Sequence, residues 1–163
     1  MDILKSVGAL ALGSRLRRLS DQLMRDGILV YRDTGLDFEP KWFPVYLYLQ
    51  RSGPSAVMDI ARGLGITHPS VNQVAKEMIA VGLLATYKDT KDKRKRLLAL
   101  TSIGKAKLDE LEPVWSDVRS ALQELIDETQ VDFLGHMETI ERALADKSFH
   151  QRFLEKHQKA SNP

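Results

Sequence analysis

Residues 57–104 constrain the fold of this 163-residue chain more than any other stretch. They begin with a short helical pattern, which residues 65–67 interrupt, and a second helical pattern follows at once. Gly82 ends that second pattern, and two short apolar runs, 83–87 and 96–100, then flank a charged loop. This order predicts two helices joined by a tight turn and followed by a β-hairpin.

The loop of this predicted hairpin concentrates the positive charge of the chain. Residues 88–96 contain six basic side chains and two acidic ones, although the formal net charge is only +2. The excess of acidic residues lies elsewhere, in residues 108–147. A focused basic patch in a near-neutral protein favours a polyanion site of limited size, although most charge runs, taken alone, are solvated loops.

The second helix of the stretch has two chemically different faces. Val71, Val74, Ala75 and Met78 share one face, which predicts that this face packs against the core. The other side carries the residues that we expect to contact DNA: His68, Pro69, Ser70, Asn72, Gln73 and Lys76. Asn and Gln can pair with adenine, and Lys with phosphate or guanine. Any amphipathic surface helix has a polar face, so its position directly after the turn is what favours DNA reading.

The basic hairpin beside this helix completes a two-part site. A hairpin with several cationic side chains can lie along the phosphate backbone or insert an arginine into the minor groove. The hairpin residues that we expect to contact DNA are Lys91, Lys93, Arg94, Lys95 and Arg96. The combination of polar helix and basic hairpin predicts double-stranded DNA as a partner, which neither feature predicts alone.

The hairpin and the residues after it resemble the wing signature of the MarR (multiple antibiotic resistance regulator) family. They read Asp-Thr-Lys-Asp-Lys-Arg at 89–94 and Leu-Thr-Ser-Ile-Gly at 100–104, and residues 60–71 also match the family's helix-turn-helix. The resemblance implies a mostly α fold with a small β-hairpin wing, that is, a winged helix-turn-helix flanked by N- and C-terminal dimerisation helices. It also implies that Arg94 reaches the minor groove and that Asp92 shapes the loop.

The sequence departs from the family pattern in two places. The base-reading helix has Asn72-Gln73-Val74 in its middle, where the family often has an arginine, so its sequence preference stays open. The chain also contains no cysteine, which excludes the oxidant sensing through cysteine that many members use.

Helical patterns lie on both sides of the stretch, and the resemblance implies that these helices build the interface of a dimer. Leu12, Leu16, Leu19 and Leu23 form one apolar stripe on a helix that we expect to start near Gly8. We assign residues 1–36 to an N-terminal dimerisation helix, 37–104 to the winged DNA-binding domain, 105–157 to C-terminal dimerisation helices and 158–163 to a polar tail. A two-fold homodimer would place its reading helices about 34 Å apart, one turn of DNA.

A helix predicted over residues 41–50 is rich in aromatic side chains. Core packing is the more common role of such residues, and a cleft for an aromatic effector is the alternative. The residues that we consider for this pocket are Tyr31, Trp42, Phe43, Tyr46 and Trp115.

Three polar residues are expected to cap helices, and one proline is expected to disturb the helix that contains it. Ser55, Thr67 and Thr101 precede predicted helices and have side chains suited to capping. Pro113 lies inside the helix that we expect to run to Asp127, where it should kink or restart it.

Several classes of protein are excluded or lack support. The absence of cysteine excludes disulfides and thiolate metal sites, and Asp132 and His136 lack a third ligand nearby in sequence, so we expect no metal and no cofactor. No nucleophile or phosphate loop supports an enzyme. No apolar run approaches a membrane span, and the start lacks the features of a signal peptide, so the expected location is the cytoplasm.

The sequence therefore predicts a non-enzymatic, sequence-specific transcriptional regulator that acts as a homodimer. A repressor is one expectation, although the residues do not distinguish repression from activation, and control by a small aromatic effector is a further hypothesis. The alternative is a winged-helix protein-interaction module, or a regulatory partner, that does not read DNA directly. A DNA binder loses affinity steeply as salt rises, which separates the two.

Overall fold

The computed structural model describes residues 1–88 and 96–161, with side chains up to residue 158. The predicted mostly α fold with a two-stranded hairpin is confirmed. The helices are α1 (Ile3–Ser6), α2 (Leu12–Asp33), α3 (Phe43–Ser52), α4 (Val57–Leu64), α5 (His68–Ala80), α6 (Ser102–Asp127), α7 (Phe133–Asp146) and α8 (Phe149–Ser161), with 3₁₀ turns at Gly8–Ala11 and Pro40–Trp42. The strands are β1 (Leu84–Lys88) and β2 (Arg96–Leu100).

The chain divides into two compact units, Met1–Val114 and Trp115–Pro163, and α6 contributes to both. The limits that we predicted for the dimerisation helices and the DNA-binding domain stay predictions. No helix among the described residues is long and apolar enough to span a bilayer.

The core of the first unit lies among α3, α4, α5 and the hairpin. Side chains that are almost completely buried come from each of them: Val45, Tyr46, Ile60, Val71, Met78 and Leu84. The predicted inner face of α5 is confirmed, because Val71, Ala75 and Met78 are buried and Val74 is half-buried. Burial of this stripe stabilises α5 by about 1.5–3 kcal/mol for each large apolar side chain.

The hairpin is tied to the segment that precedes α4. Its antiparallel register runs from Leu84 opposite Leu100 to Lys88 opposite Arg96. Ser55 forms an isolated bridge to Leu98, with its N–H donating to the Leu98 oxygen (3.0 Å) and the Leu98 N–H donating back (2.9 Å). The base of the hairpin is therefore held directly to the helix-turn-helix.

Two of the three predicted caps are confirmed, and the third is wrong. The Thr67 hydroxyl accepts from the Ser70 N–H, and that of Thr101 accepts from the Gly104 N–H at 2.9 Å. The cap position of α4 is Ala56, whereas the Ser55 hydroxyl donates to the Gly53 carbonyl. Ser55 cannot cap because its backbone is already committed to the bridge with β2.

Three predicted boundaries differ from the structure. The helix with the leucine stripe, α2, begins at Leu12 and follows a 3₁₀ turn that starts at Gly8; the separate short helix α1, which was not predicted, begins at Ile3, where the Asp2 carboxylate accepts from the Leu4 N–H. Helix α6 is continuous through Pro113, so this proline does not restart it. Helix α8 extends to Ser161, so it runs into the segment that we assigned to a polar tail.

The start of α6 packs closely on the hairpin. The Thr101 N–H donates to the Leu83 carbonyl (3.0 Å), and its hydroxyl donates to the Gly82 carbonyl (2.7 Å). Gly104 is buried, and a β-carbon there would overlap the Leu83 carbonyl oxygen. Only glycine fits at this junction.

Candidate nucleic-acid interface

The tight turn before α5 sets the direction in which that helix leaves α4. Gly65 ends α4 in the left-handed conformation (φ 63°, ψ 25°), which glycine adopts without steric cost. The Ile66 N–H then donates to the Ala61 carbonyl (3.1 Å), and Thr67 starts α5 as its cap. Local chemistry at three successive residues therefore builds the helix-turn-helix.

The polar residues predicted on the outer face of α5 share one exposed surface. All six are exposed: His68, Pro69, Ser70, Asn72, Gln73 and Lys76. The Asn72 amide lies 3.2 Å from Nδ1 of His68, one turn earlier. The surface offers amide, hydroxyl, imidazole and ammonium groups, which suit base edges and phosphates. Their contact with DNA stays a prediction.

Behind this surface lies a polar network that the sequence analysis missed. The Glu77 carboxylate accepts from the ammonium of Lys41 (2.8 Å) and from Nε1 of Trp42 (2.9 Å), both through Oε2. Its other oxygen, Oε1, accepts from Nε2 of Gln73 (2.9 Å). These hydrogen bonds, from Lys41 first and then from Trp42 and Gln73, lower the pKa of Glu77 to about 2. Glu77 is therefore ionised at neutral pH.

One sequence signal could have found part of this network. Gln73 and Glu77 are four residues apart, a spacing at which helical side chains meet. The contacts to Lys41 and Trp42 join the 3₁₀ turn before α3 to α5. The tryptophan is 35 residues from Glu77 in sequence, and no local pattern predicts these contacts.

Of the five hairpin residues predicted to bind DNA, Arg96 is described. It is exposed at the start of β2, opposite Lys88. Lys91, Lys93, Arg94 and Lys95 lie outside the described residues. The structure therefore describes the two strands on either side of residues 89–95, and the wing contacts stay predictions.

Three of the proposed pocket residues are packed around a fourth aromatic side chain, Phe38, which the sequence analysis did not single out. Its ring centroid lies 5.2 Å from that of Tyr31, 5.6 Å from that of Trp42 and 5.5 Å from that of Tyr46. All four are buried. A ligand could enter among them only by moving Phe38. The other two proposed residues are more accessible: Phe43 is exposed, and Trp115, in the second unit, is half-buried.

Tyr46 also links this cluster to α6. Its hydroxyl donates to the Gly104 carbonyl (2.7 Å). Burial, with a smaller contribution from the charge of Asp109, raises the pKa of Tyr46 to about 12. Its role in this structure is that of a satisfied polar group in the core.

No described group of three or more His, Asp or Glu side chains could hold a metal ion. Asp132 is the cap of α7, where its carboxylate accepts from the Gly135 N–H (3.0 Å). Its four-residue spacing to His136 therefore has a structural explanation.

Comparisons with known proteins agree with this architecture. Residues 35–95 match the model of the MarR family. The DNA-bound repressor CouR, solved with a 23-mer duplex, is 25% identical with a TM-score of 0.66, covering 82% of this chain and 96% of CouR. A probable transcriptional regulator from Pseudomonas aeruginosa is 22% identical with a TM-score of 0.57, covering 83% and 95%. BpsR of Bordetella bronchiseptica, whose DNA binding 6-hydroxynicotinic acid regulates, is 23% identical with a TM-score of 0.54, covering 72% and 91%. The comparison with curated proteins finds no match.

The turn, the exposed polar helix and the paired hairpin define a winged helix-turn-helix protein of the transcriptional-regulator class. Within that class, residues 35–95 of the chain are similar to the MarR family, whose model they match. The family and these structural neighbours are regulators and not enzymes.

Proposed function

We propose that this chain binds DNA sequence-specifically as a homodimer and represses transcription. Helix α5 would enter the major groove, and the hairpin would lie in the adjacent minor groove or along the backbone. The observation that supports this most is the exposed polar face of α5, whose opposite face is anchored by Val71 and Met78. The bridge between Ser55 and Leu98 adds support, because it makes helix-turn-helix and hairpin one body.

A salt titration of DNA binding tests the proposal. The logarithm of the affinity should fall linearly with the logarithm of the salt concentration, with a slope of about −0.9 for each phosphate contacted. The double substitution Arg94→Ala and Lys95→Ala should reduce that slope by about 2 per protomer. The matched control is Arg119→Ala with Lys156→Ala, which removes the same charge outside the proposed interface. An unchanged slope in the hairpin variant would refute the wing contact, and salt-insensitive binding would refute DNA recognition.

The homodimer is proposed from exposed apolar side chains on the helices outside the reading head. On α2 the stripe consists of leucines that are each about half exposed: Leu12, Leu16, Leu19 and Leu23. Helix α7 likewise leaves Leu134, Ile140 and Leu144 about half exposed. Rows of half-exposed apolar side chains along a helix are typical of surfaces that associate, so a second copy of the chain is the proposed cover of each helix.

Sedimentation equilibrium with two charge variants tests this dimer. Leu16→Glu with Leu19→Glu would bury charge in the proposed interface and should give a monomer. Arg15→Glu changes the charge of an exposed neighbour on the same helix and should leave the dimer intact. A wild-type monomer at micromolar concentration, or a dimer that survives both leucine substitutions, would contradict the proposal.

A small aromatic acid is the proposed effector, by analogy with the ligand named for BpsR. Its proposed contacts within the first unit are the aromatic residues Tyr31, Trp42, Phe43 and Tyr46. To matter, the ligand must change DNA affinity by about 1–3 kcal/mol. A panel of phenolic and hydroxylated pyridine acids should include one that does so, and Phe43→Ala should weaken it. A panel without any effect on operator affinity would count against an effector of this class. The cytoplasmic location remains a prediction.

A further inference from the structure

The network behind α5 contains a residue that orients a reading side chain. We propose that Glu77 sets the amide of Gln73 so that its carbonyl oxygen faces DNA, which selects adenine at the base pair that Gln73 contacts. This inference rests on the proposed DNA-binding function. It goes beyond that function by naming a positioning residue and the base that it selects.

The first step is the charge state of Glu77. Its side chain is about a quarter exposed, and its two oxygens accept from three donors on Lys41, Trp42 and Gln73. The low pKa that these bonds produce keeps the group ionised at neutral pH. An ionised carboxylate can only accept hydrogen bonds.

The second step is the orientation of Gln73. A side-chain amide has a donating end and an accepting end, and flipping it exchanges them. Because Glu77 can only accept, the NH₂ group of Gln73 must face it, as the 2.9 Å contact from Nε2 to Oε1 shows. The carbonyl oxygen and the second N–H of Gln73 are then left for another partner.

The third step is the match to a base. In the major groove, adenine presents the N6 amino group as a donor and N7 as an acceptor. The outward carbonyl oxygen of Gln73 can accept from N6 of adenine while its second N–H donates to N7. Guanine and thymine present acceptors where this carbonyl lies, so the fixed orientation disfavours them.

Trp42 and Lys41 both donate to the side chain at position 77, so an accepting oxygen of that side chain must face them. Trp42 is buried, and its indole N–H is a donor that points only one way. In Glu77→Gln, the single carbonyl oxygen of the new amide would be claimed by Trp42 and Lys41. Its NH₂ would then face Gln73, which must flip to accept. The variant should therefore present the NH₂ of Gln73 to DNA and prefer a base with an acceptor, guanine or thymine.

The test measures base preference at every position of a selected site. Bound fragments are first selected from random duplexes with the wild-type protein, and all single base-pair variants of the site are then compared by competition. The proteins are wild type, Glu77→Gln, Gln73→Ala and the double variant. Asp59→Asn is the control for charge, because it also removes one carboxylate but pairs with Arg62 instead.

The expected result is a change confined to one position in each half-site. Gln73→Ala should remove the preference for adenine there. Glu77→Gln should reduce the adenine-to-guanine preference at the same position by about tenfold or more, which is the scale of one bidentate contact. The double variant should match Gln73→Ala, and Asp59→Asn should keep the wild-type preference.

A purely structural role would give a different result. If Glu77→Gln weakens binding equally for all sequences, or if the position sensitive to Gln73→Ala does not carry adenine, the assignment is wrong. Wild-type protein without any sequence preference would overturn the proposed function itself. The two failures are separable in the free protein: ¹⁵N–¹H spectra should show one Gln73 amide proton shifted by its hydrogen bond in wild type. If that shift is absent, the orientation is refuted whether or not DNA binds.

Discussion

The variant Gly104→Ala tests the junction that joins the hairpin to α6. A β-carbon at this position would lie about 0.9 Å inside the 3.0 Å that Cβ atoms keep from other heavy atoms, and the atom it meets is the backbone oxygen of Leu83. A backbone atom cannot rotate away, so the junction must open. Opening it lengthens the 3.0 Å hydrogen bond from the Thr101 N–H to that same oxygen.

The expected cost follows from three contributions. Overpacking costs about 1–3 kcal/mol, and the weakened hydrogen bond costs about 1 kcal/mol. Replacing a helical glycine by alanine returns about 1 kcal/mol of helix propensity. The net loss in the free energy of unfolding is about 1–3 kcal/mol, which for a chain of this size lowers Tm by roughly 3–9 °C.

Urea unfolding followed by circular dichroism measures this loss, at one fixed protein concentration because dimerisation would couple to stability. Two helical glycines serve as controls. An alanine at Gly63 would meet the ring of Tyr48, a side chain that can turn away, and one at Gly13 would meet no atom within 4 Å. Gly13→Ala should be as stable as wild type or slightly more stable, and Gly63→Ala should lie between. Equal stability of Gly104→Ala and Gly13→Ala would refute the close junction.

Three further variants test single groups. Tyr46→Phe should lower the free energy of unfolding by about 1 kcal/mol. Because the pKa of Tyr46 in the folded wild type, about 12, is above the ordinary 10.0, wild type should lose stability between pH 10 and 12 in urea titrations, and the variant should not. Glu77→Gln should make the free energy of unfolding depend less on pH in acid. The pKa of Glu77 in the folded wild type, about 2, lies below the ordinary 4.5, so the stability that this carboxylate contributes above pH 4.5 is lost as the pH falls towards 2. Thr101→Val removes the cap of α6 and its bond to Gly82 and should cost about 1–2 kcal/mol by urea unfolding, whereas an unchanged midpoint would contradict the capping role.

The parts of the fold that the sequence predicted are those that local physics determines. The inner face of α5 repeats with the helical period, so Val71 and Met78 could be placed in the core from spacing alone. Thr67 and Thr101 cap helices with side chains that reach only to residues nearby in sequence. The outer face of α5 follows from the inner face, which is why the six polar residues were predicted together.

The parts that were missed depend on residues distant in sequence. Ser55 has the chemistry of a cap, but its backbone pairs with Leu98, 43 residues later, and that pairing decides its conformation. Phe38 lies in a short connecting segment without periodicity, so its central place in the aromatic cluster had no local signal. Glu77 is one more polar residue on α5 in the sequence, and only the folded structure brings the 3₁₀ turn at Pro40–Trp42, with its two donors, against it.

Trp42 joins the two proposals about this protein, because its two ends serve different parts of the molecule. Its ring packs edge-on against Phe38 in the aromatic cluster, and its N–H holds the Glu77 carboxylate behind α5. A ligand that entered the cluster would have to move Phe38, and therefore the ring against which Trp42 packs. Any resulting shift of the indole would remove a donor from Glu77 and release the amide of Gln73. Effector binding would then change which base is read as well as how tightly DNA is held, an outcome that base-preference measurements with and without the ligand would reveal.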